Sequence, residues 1–90
     1  VALIIHVDTG DKVSIGDVMM VYENKINQDA IFTVTYDDSS ETVTLKEGVH
    51  TPIGKAIIKL QRRVGRKASL VVAAPRSINI ELHHTSRESA

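Results

Sequence analysis

Residues 31–46, IFTVTYDDSSETVTLK, constrain this chain more than any other stretch. Apolar and polar side chains alternate with period two on both sides of DDSS, and DDSS is turn chemistry. A β-hairpin reconciles that period with that turn. Thr33, Thr35, Thr42 and Thr44 fall on one face, and Phe32, Val34, Tyr36, Val43 and Leu45 on the other. An isolated hairpin is only marginally stable in water. Its apolar face therefore needs support, either from a sheet of its own domain or from a neighbouring molecule.

The rest of the chain is punctuated in the same way. The run ALIIHV at 2–7 stops at DTGD, KVSI at 12–15 stops at Gly16-Asp17, and VMMVYE at 18–23 stops at the polar break NKINQD. After the hairpin, EGVHTPIG at 47–54 reads as a loop, with Pro52 and two glycines. KAIIKLQ, ASLVVAA and SINIEL then read as three further strands. No segment sustains a helical period. The only helix signal is the capping box TSRE at Thr85 and Glu88, too near the end of the sequence to nucleate more than a turn. The expectation is one all-β domain over residues 1–90, with at most a short C-terminal helical turn. One Phe, two Tyr and no Trp leave the core to Val, Ile, Leu and Ala, and argue against a base-stacking platform.

A chain of 90 residues without cysteine has neither disulfides nor cysteine-based zinc sites to brace a small core. Oligomerisation is the remaining common route to stability. No apolar run reaches membrane-spanning length and no signal-peptide pattern opens the chain, so a cytoplasmic setting is expected. Net charge is zero, but the halves differ. Residues 1–50 carry nine acidic and three basic side chains, a balance of −6, and residues 51–90 carry eight basic and two acidic, +6. A basic face could meet a polyanion, or opposed faces could meet between subunits; the plainer reading is two solvated faces of one domain.

One combination is more specific. Leu3-Ile4-Ile5, Gly10-Asp11 and Ile15-Gly16-Asp17 come first. Later come Gly65, ASLVVA, the corner Ala74-Pro75 and the alternating SINIEL. Together they resemble the carbon storage regulator (CsrA/RsmA) family of small dimeric RNA-binding proteins, over residues 2–17 and 55–84. The resemblance implies a small antiparallel β-sandwich or barrel, an intertwined homodimer whose subunits share sheets, and a role in RNA binding and translation regulation. On that alignment residues 18–54 form an inserted segment, with hairpin 31–46 projecting from the regulator-like core. A competing likeness, of GDKVSIGDVMMVYENK to the entry of a lipoyl or biotinyl domain, is the weaker one, because Lys25 comes too early and the second half of that fold is not visible.

The family's RNA grip involves a Thr-Arg-Arg run in the first strand and an arginine ending the fifth. The matching positions here are His6, Val7 and Asp8, and Leu82, so the arginines are gone and one is replaced by an acid. That removes bidentate contacts and counterion release. The remaining basic residues nominate a displaced RNA-binding set, Arg62, Arg63, Arg66, Lys67 and Arg76, for which an ordinary charged turn is the plainer reading. His83 and His84 are adjacent and face opposite ways in a strand, and His6 and His50 have no partner the sequence can place. No metal or cofactor is expected. Neither a phosphate loop nor a nucleophile motif is present, and Asp37-Asp38 sit in a turn, so no enzyme is expected. Two functions follow: an RNA-binding homodimeric regulator with a degenerate site, or a structural or assembly module, for example a phage or virion component, docking other structural proteins through hairpin 31–46.

Overall fold

The computed structural model describes residues 2–27, 29–65 and 67–83. Among these the chain forms nine strands and no helix: β1 (Ala2–Asp8), β2 (Lys12–Ile15), β3 (Val18–Ile26), β4 (Asp29–Thr35), β5 (Ser40–Leu45), β6 (His50–Ile53), β7 (Ala56–Val64), β8 (Lys67–Ala73) and β9 (Ile80–His83). They build two antiparallel sheets, ordered β1-β8-β7-β6 and β5-β4-β3-β2-β9. The sheets face each other over one core. Period-two alternation sets which residues enter it. In β8, Ala68, Leu70 and Val72 are buried, while Lys67, Ser69, Val71 and Ala73 face outward.

A fixed shift of 38 residues relates most of the chain to itself. β2, β3 and β4 map onto β6, β7 and β8 with identical boundaries after the shift, and β1 maps onto β5. The left-handed turn residues repeat as well. Gly10 and Gly48 have φ of 94° and 80°, Gly16 and Gly54 61° and 62°, and Asn27 and Gly65 57° and 61°. The β-bulge between Tyr22 and Asn24 recurs between Leu60 and Arg62. So do the turn hydrogen bonds. The Gly10 N–H donates to the Tyr22 carbonyl at 2.7 Å and the Gly48 N–H to the Leu60 carbonyl at 2.9 Å. The Asp11 N–H donates to Asp8 at 2.9 Å and the Val49 N–H to Lys46 at 3.0 Å.

The two repeats exchange their first strands. β1, from the first repeat, pairs with β8 of the second, Ala2 opposite Ala73. β5, which opens the second repeat, pairs with β4 of the first, Ser40 opposite Thr35. Both ladders obey the same register after the 38-residue shift. The molecule therefore has an internal pseudo-two-fold. It is broken at one place: β9 adds to β2 at the edge of the second sheet, and among the described residues no strand adds to β6, its counterpart in the first.

Residues 18–54 are the segment that the resemblance reads as inserted. They complete the first repeat and begin the second. Hairpin 31–46 does form, but it does not project. Ala30, Phe32, Val34 and Leu45 are all fully buried in the shared core. Phe32 stacks on Tyr22 across β3 and β4, centroids 4.9 Å apart and planes at 15°. Leu60 and Leu70 hold the equivalent cross-strand pair between β7 and β8. Each repeat thus lends its first strand to the sheet of the other within one chain.

Smaller differences have local causes. EGVHTPIG contains β6, because Pro52 sits at a sheet edge where a missing N–H costs no ladder bond. The polar break 24–29 narrows to the turn after Ile26, since the bulge lets β3 continue. SINIEL keeps only its end in β9; the Ile78 N–H closes a turn onto the Pro75 carbonyl at 3.0 Å. The TSRE capping box and His84 lie outside the described residues.

Candidate nucleic-acid interface

The nominated basic residues are not brought together as one set. Arg62, in β7, stands opposite Ser69, and Lys67 opens β8 opposite Asp8. Both are exposed on the outer face of the first sheet. Arg63 takes its place in β7 opposite Ala68, and Arg66 lies outside the described residues. Arg76 is exposed at the other end of β8, beyond the Ala74-Pro75 corner. The seven residues of β8 at roughly 3.3 Å each put about 20 Å between the Lys67 end and the corner.

Register identifies which neighbours join Arg62 and Lys67. One outward row across the sheet reads His6, Ser69, Arg62, and the next reads Ile4, Val71, Lys59, His50. The His6 ring nitrogen Nδ1 and the Ser69 hydroxyl are 2.9 Å apart. Lys59, Arg62 and the backbone of Gly48 line a shallow hollow of about 480 Å³, which Glu47 also borders. Lys59 and His50 were not singled out by sequence. Their signal was available as outward positions in alternating strands, but His50 required β6 to be recognised as a strand.

The pseudo-two-fold supplies an internal comparison for this face. The counterparts of Lys59, Arg62 and Lys67 on the second sheet are Val21, Asn24 and Asp29, and those of His6 and Ser69 are Thr44 and Ile31. The same backbone thus presents a net cationic face on one side and, on the other, a threonine-rich face whose charges, Lys12, Asp29 and Glu81, are mixed in sign. The opposed charges of the two sequence halves are a property of the two repeats. Asp8, Asp17, Asp29 and Asp38 of the first become Lys46, Lys55, Lys67 and Arg76 of the second.

The positions that match the family's RNA grip are also placed. His6 and Asp8 face outward in β1, Val7 is buried, and Leu82 is half-buried in β9, opposite Val13. Asp8 sits beside Lys67 in the ladder, so an acid borders the cationic face. The histidines are dispersed: His6 and His50 lie on opposite edge strands of the first sheet, and His83 lies in the second. Among the described residues no group of three His, Cys, Asp or Glu side chains is arranged to hold a metal ion. No helix among them is long and apolar enough to cross a membrane.

Comparison with family models, with curated proteins and with solved structures finds no match to the chain.

Proposed function

We propose that this chain is a non-catalytic RNA-binding module of the carbon storage regulator type, with both halves of a two-fold unit in one polypeptide. It meets phosphates through the outer face of its first sheet. The observation that carries the reading is the set Lys59, Arg62 and Lys67, in adjacent rows of one outer face whose pseudo-symmetric counterpart is uncharged at two of those positions and acidic at the third. The exchanged first strands support the family likeness, because subunits that share sheets are what the resemblance implies.

The mode of binding follows from residue chemistry. Lysine and arginine on an open sheet contact phosphate oxygens and release counterions, but carry no sequence information by themselves. The first strand offers His6 and Asp8 instead of arginines, so base readout there is poor. Binding is therefore weak, tolerant of sequence and salt-sensitive. Translation control in the cytoplasm is the role this reading suggests.

The test is a gel-shift titration with a GGA-containing hairpin RNA and an unrelated RNA of equal length, at two salt concentrations. Both RNAs bind with similar affinity. Three phosphate contacts give a slope of log K on log salt of about −2, and the variant K59E/R62E/K67E loses binding to both. Tight, GGA-selective binding that survives in the triple variant contradicts the proposal.

A second reading, an assembly module such as a virion component, is favoured by one observation. Ile4 and Ile57 are 53% and 46% exposed on the same outer face, beside Val71 and Ala73. Exposed aliphatic residues that share a face suit protein contact.

A further inference from the structure

The break in the pseudo-two-fold makes the two ends of the molecule unlike in shape and opposite in charge. At one end a cleft of about 390 Å³ is lined by Leu3, Ala74, Pro75, Arg76, Ile78 and Ile80. Leu3 is 42% exposed there, and Arg76 is the charged group of the lining among the described residues. Ile78 and Ile80 belong to the segment around β9, which the first repeat does not duplicate.

At the pseudo-equivalent end, the positions of Leu3, Ala74, Pro75 and Arg76 are taken by Glu41, Tyr36, Asp37 and Asp38. No strand like β9 flanks them among the described residues. This end is the tip of hairpin 31–46. The Tyr36 N–H donates to the Ser39 carbonyl at 2.7 Å, closing the turn. The Tyr36 hydroxyl donates to Glu41 Oε2 at 3.2 Å, and Asp37, Asp38 and Glu41 are exposed. One end is thus an apolar cleft with a cation at its rim. The other is a turn with a half-buried aromatic ring and exposed carboxylates.

We propose that copies of this chain associate head to tail, the Tyr36–Glu41 turn of one copy seated in the β1/β9 cleft of the next with Asp37 and Asp38 facing Arg76. The occupant is a second copy because each molecule carries both complementary surfaces, at positions its own pseudo-two-fold relates. The zero net charge of the chain removes the long-range repulsion that keeps like molecules apart. The contact is heterologous, so it closes into a ring or grows as a filament rather than stopping at a two-fold dimer. This goes beyond RNA binding and uses neither Lys59, Arg62 nor Lys67.

Two charge reversals test it. R76E makes both ends acidic, and D37R/D38R makes both ends basic. In sedimentation velocity over a concentration series to about 1 mM, the wild-type chain shows species larger than a monomer, and their fraction falls with added salt. Each variant alone associates at least about tenfold more weakly, because like charges now meet at the contact. An equimolar mixture of the two variants regains association, since each then offers the complement of the other. Circular dichroism of each variant establishes that it is folded, and the mixture keeps the test decisive if one variant is less stable. A wild-type chain that stays monomeric throughout overturns the proposal. So does association that R76E leaves unchanged, or a mixture no better than its components. Loss of RNA binding in K59E/R62E/K67E with assembly intact separates failure here from failure of the proposed function.

Discussion

Phe32 and Leu70 occupy equivalent positions in the two repeats, and so do Asp38 and Arg76. The first pair is fully buried, and both members are apolar. The second pair is exposed, and its charges are opposite. At most core positions the repeats keep apolar chemistry, and they diverge where solvent permits it; Asp11, fully buried, answers to the exposed Val49 and is an exception. A core position tolerates exchange among large apolar residues that keep its volume, whereas a surface position carries whatever its face is used for. The cationic face and the acidic hairpin tip arise from divergence on a common frame, the Arg76 cleft from that divergence together with the added β9 segment, and the functional proposals rest on those differences.

The largest expected effect tests whether the first repeat is core in the same sense as the second. Phe32→Ala removes a fully buried ring stacked on Tyr22 and costs about 3–5 kcal/mol, and Leu70→Ala costs about 2–5 kcal/mol. Urea denaturation measures both. A Phe32→Ala cost below about 1 kcal/mol would return hairpin 31–46 to the status of an appendage.

Intermediate effects are expected at the repeated turns. Gly65 has φ of 61°, and a Cβ there meets open space, so Gly65→Ala costs about 1–2 kcal/mol from backbone conformation alone. Gly54 has φ of 62°, and its Cβ would lie 3.1 Å from Val18 Cγ2, so Gly54→Ala costs more. Gly65→Asn costs less than Gly65→Ala, because Asn27 already adopts this conformation at the equivalent position. Thermal melts of the three variants check the order. A Gly65→Asn variant no more stable than Gly65→Ala would mean that the two turns are not interchangeable.

The smallest effect separates the two hairpin tips. Desolvation, followed by the hydrogen bond to Glu41 and that group's charge, raises the Tyr36 pKa above its ordinary 10.0. The neutral phenol is thus favoured in the fold. Its contribution to stability is complete below the unfolded pKa and is lost as pH rises through the folded one. Glu41→Gln moves the Tyr36 titration back towards 10.0, observable by tyrosinate absorbance. An unchanged titration would remove the Glu41 contact from the description of the acidic tip.

Much of the fold was legible in the sequence. Period-two alternation and turn residues located β1, β2, β4, β5, β7 and β8 closely, because a strand with one buried face must alternate. The repeat was harder to read. Alternation constrains residue class, not identity, so the repeats share few residues: Gly10 with Gly48, Ile15 with Ile53, Gly16 with Gly54, Ala30 with Ala68, Val34 with Val72. The two Ile-Gly turns and the two preceding glycines, all at one spacing, were the signal that could have revealed it. The second Ile-Gly turn, Ile53-Gly54-Lys55, lacks the aspartate of Ile15-Gly16-Asp17, which masks the repetition. Of the candidate interface, Arg62 and Lys67 were legible as a basic cluster. Lys59 joins Arg62 because the bulge between Leu60 and Arg62 brings both to one face of β7, and His50 joins because β6 pairs with β7; neither the bulge nor the strand pairing is encoded by local alternation.

Amide hydrogen exchange tests the central claim, that two 38-residue-shifted repeats build one core, most directly. The account predicts that amides in the interiors of β3 and β4 and in those of β7 and β8 exchange through the same global opening, with a free energy equal to that of unfolding. Protection confined to β7, β8 and β1, with β4 and β5 exchanging freely while the rest stays closed, would contradict it.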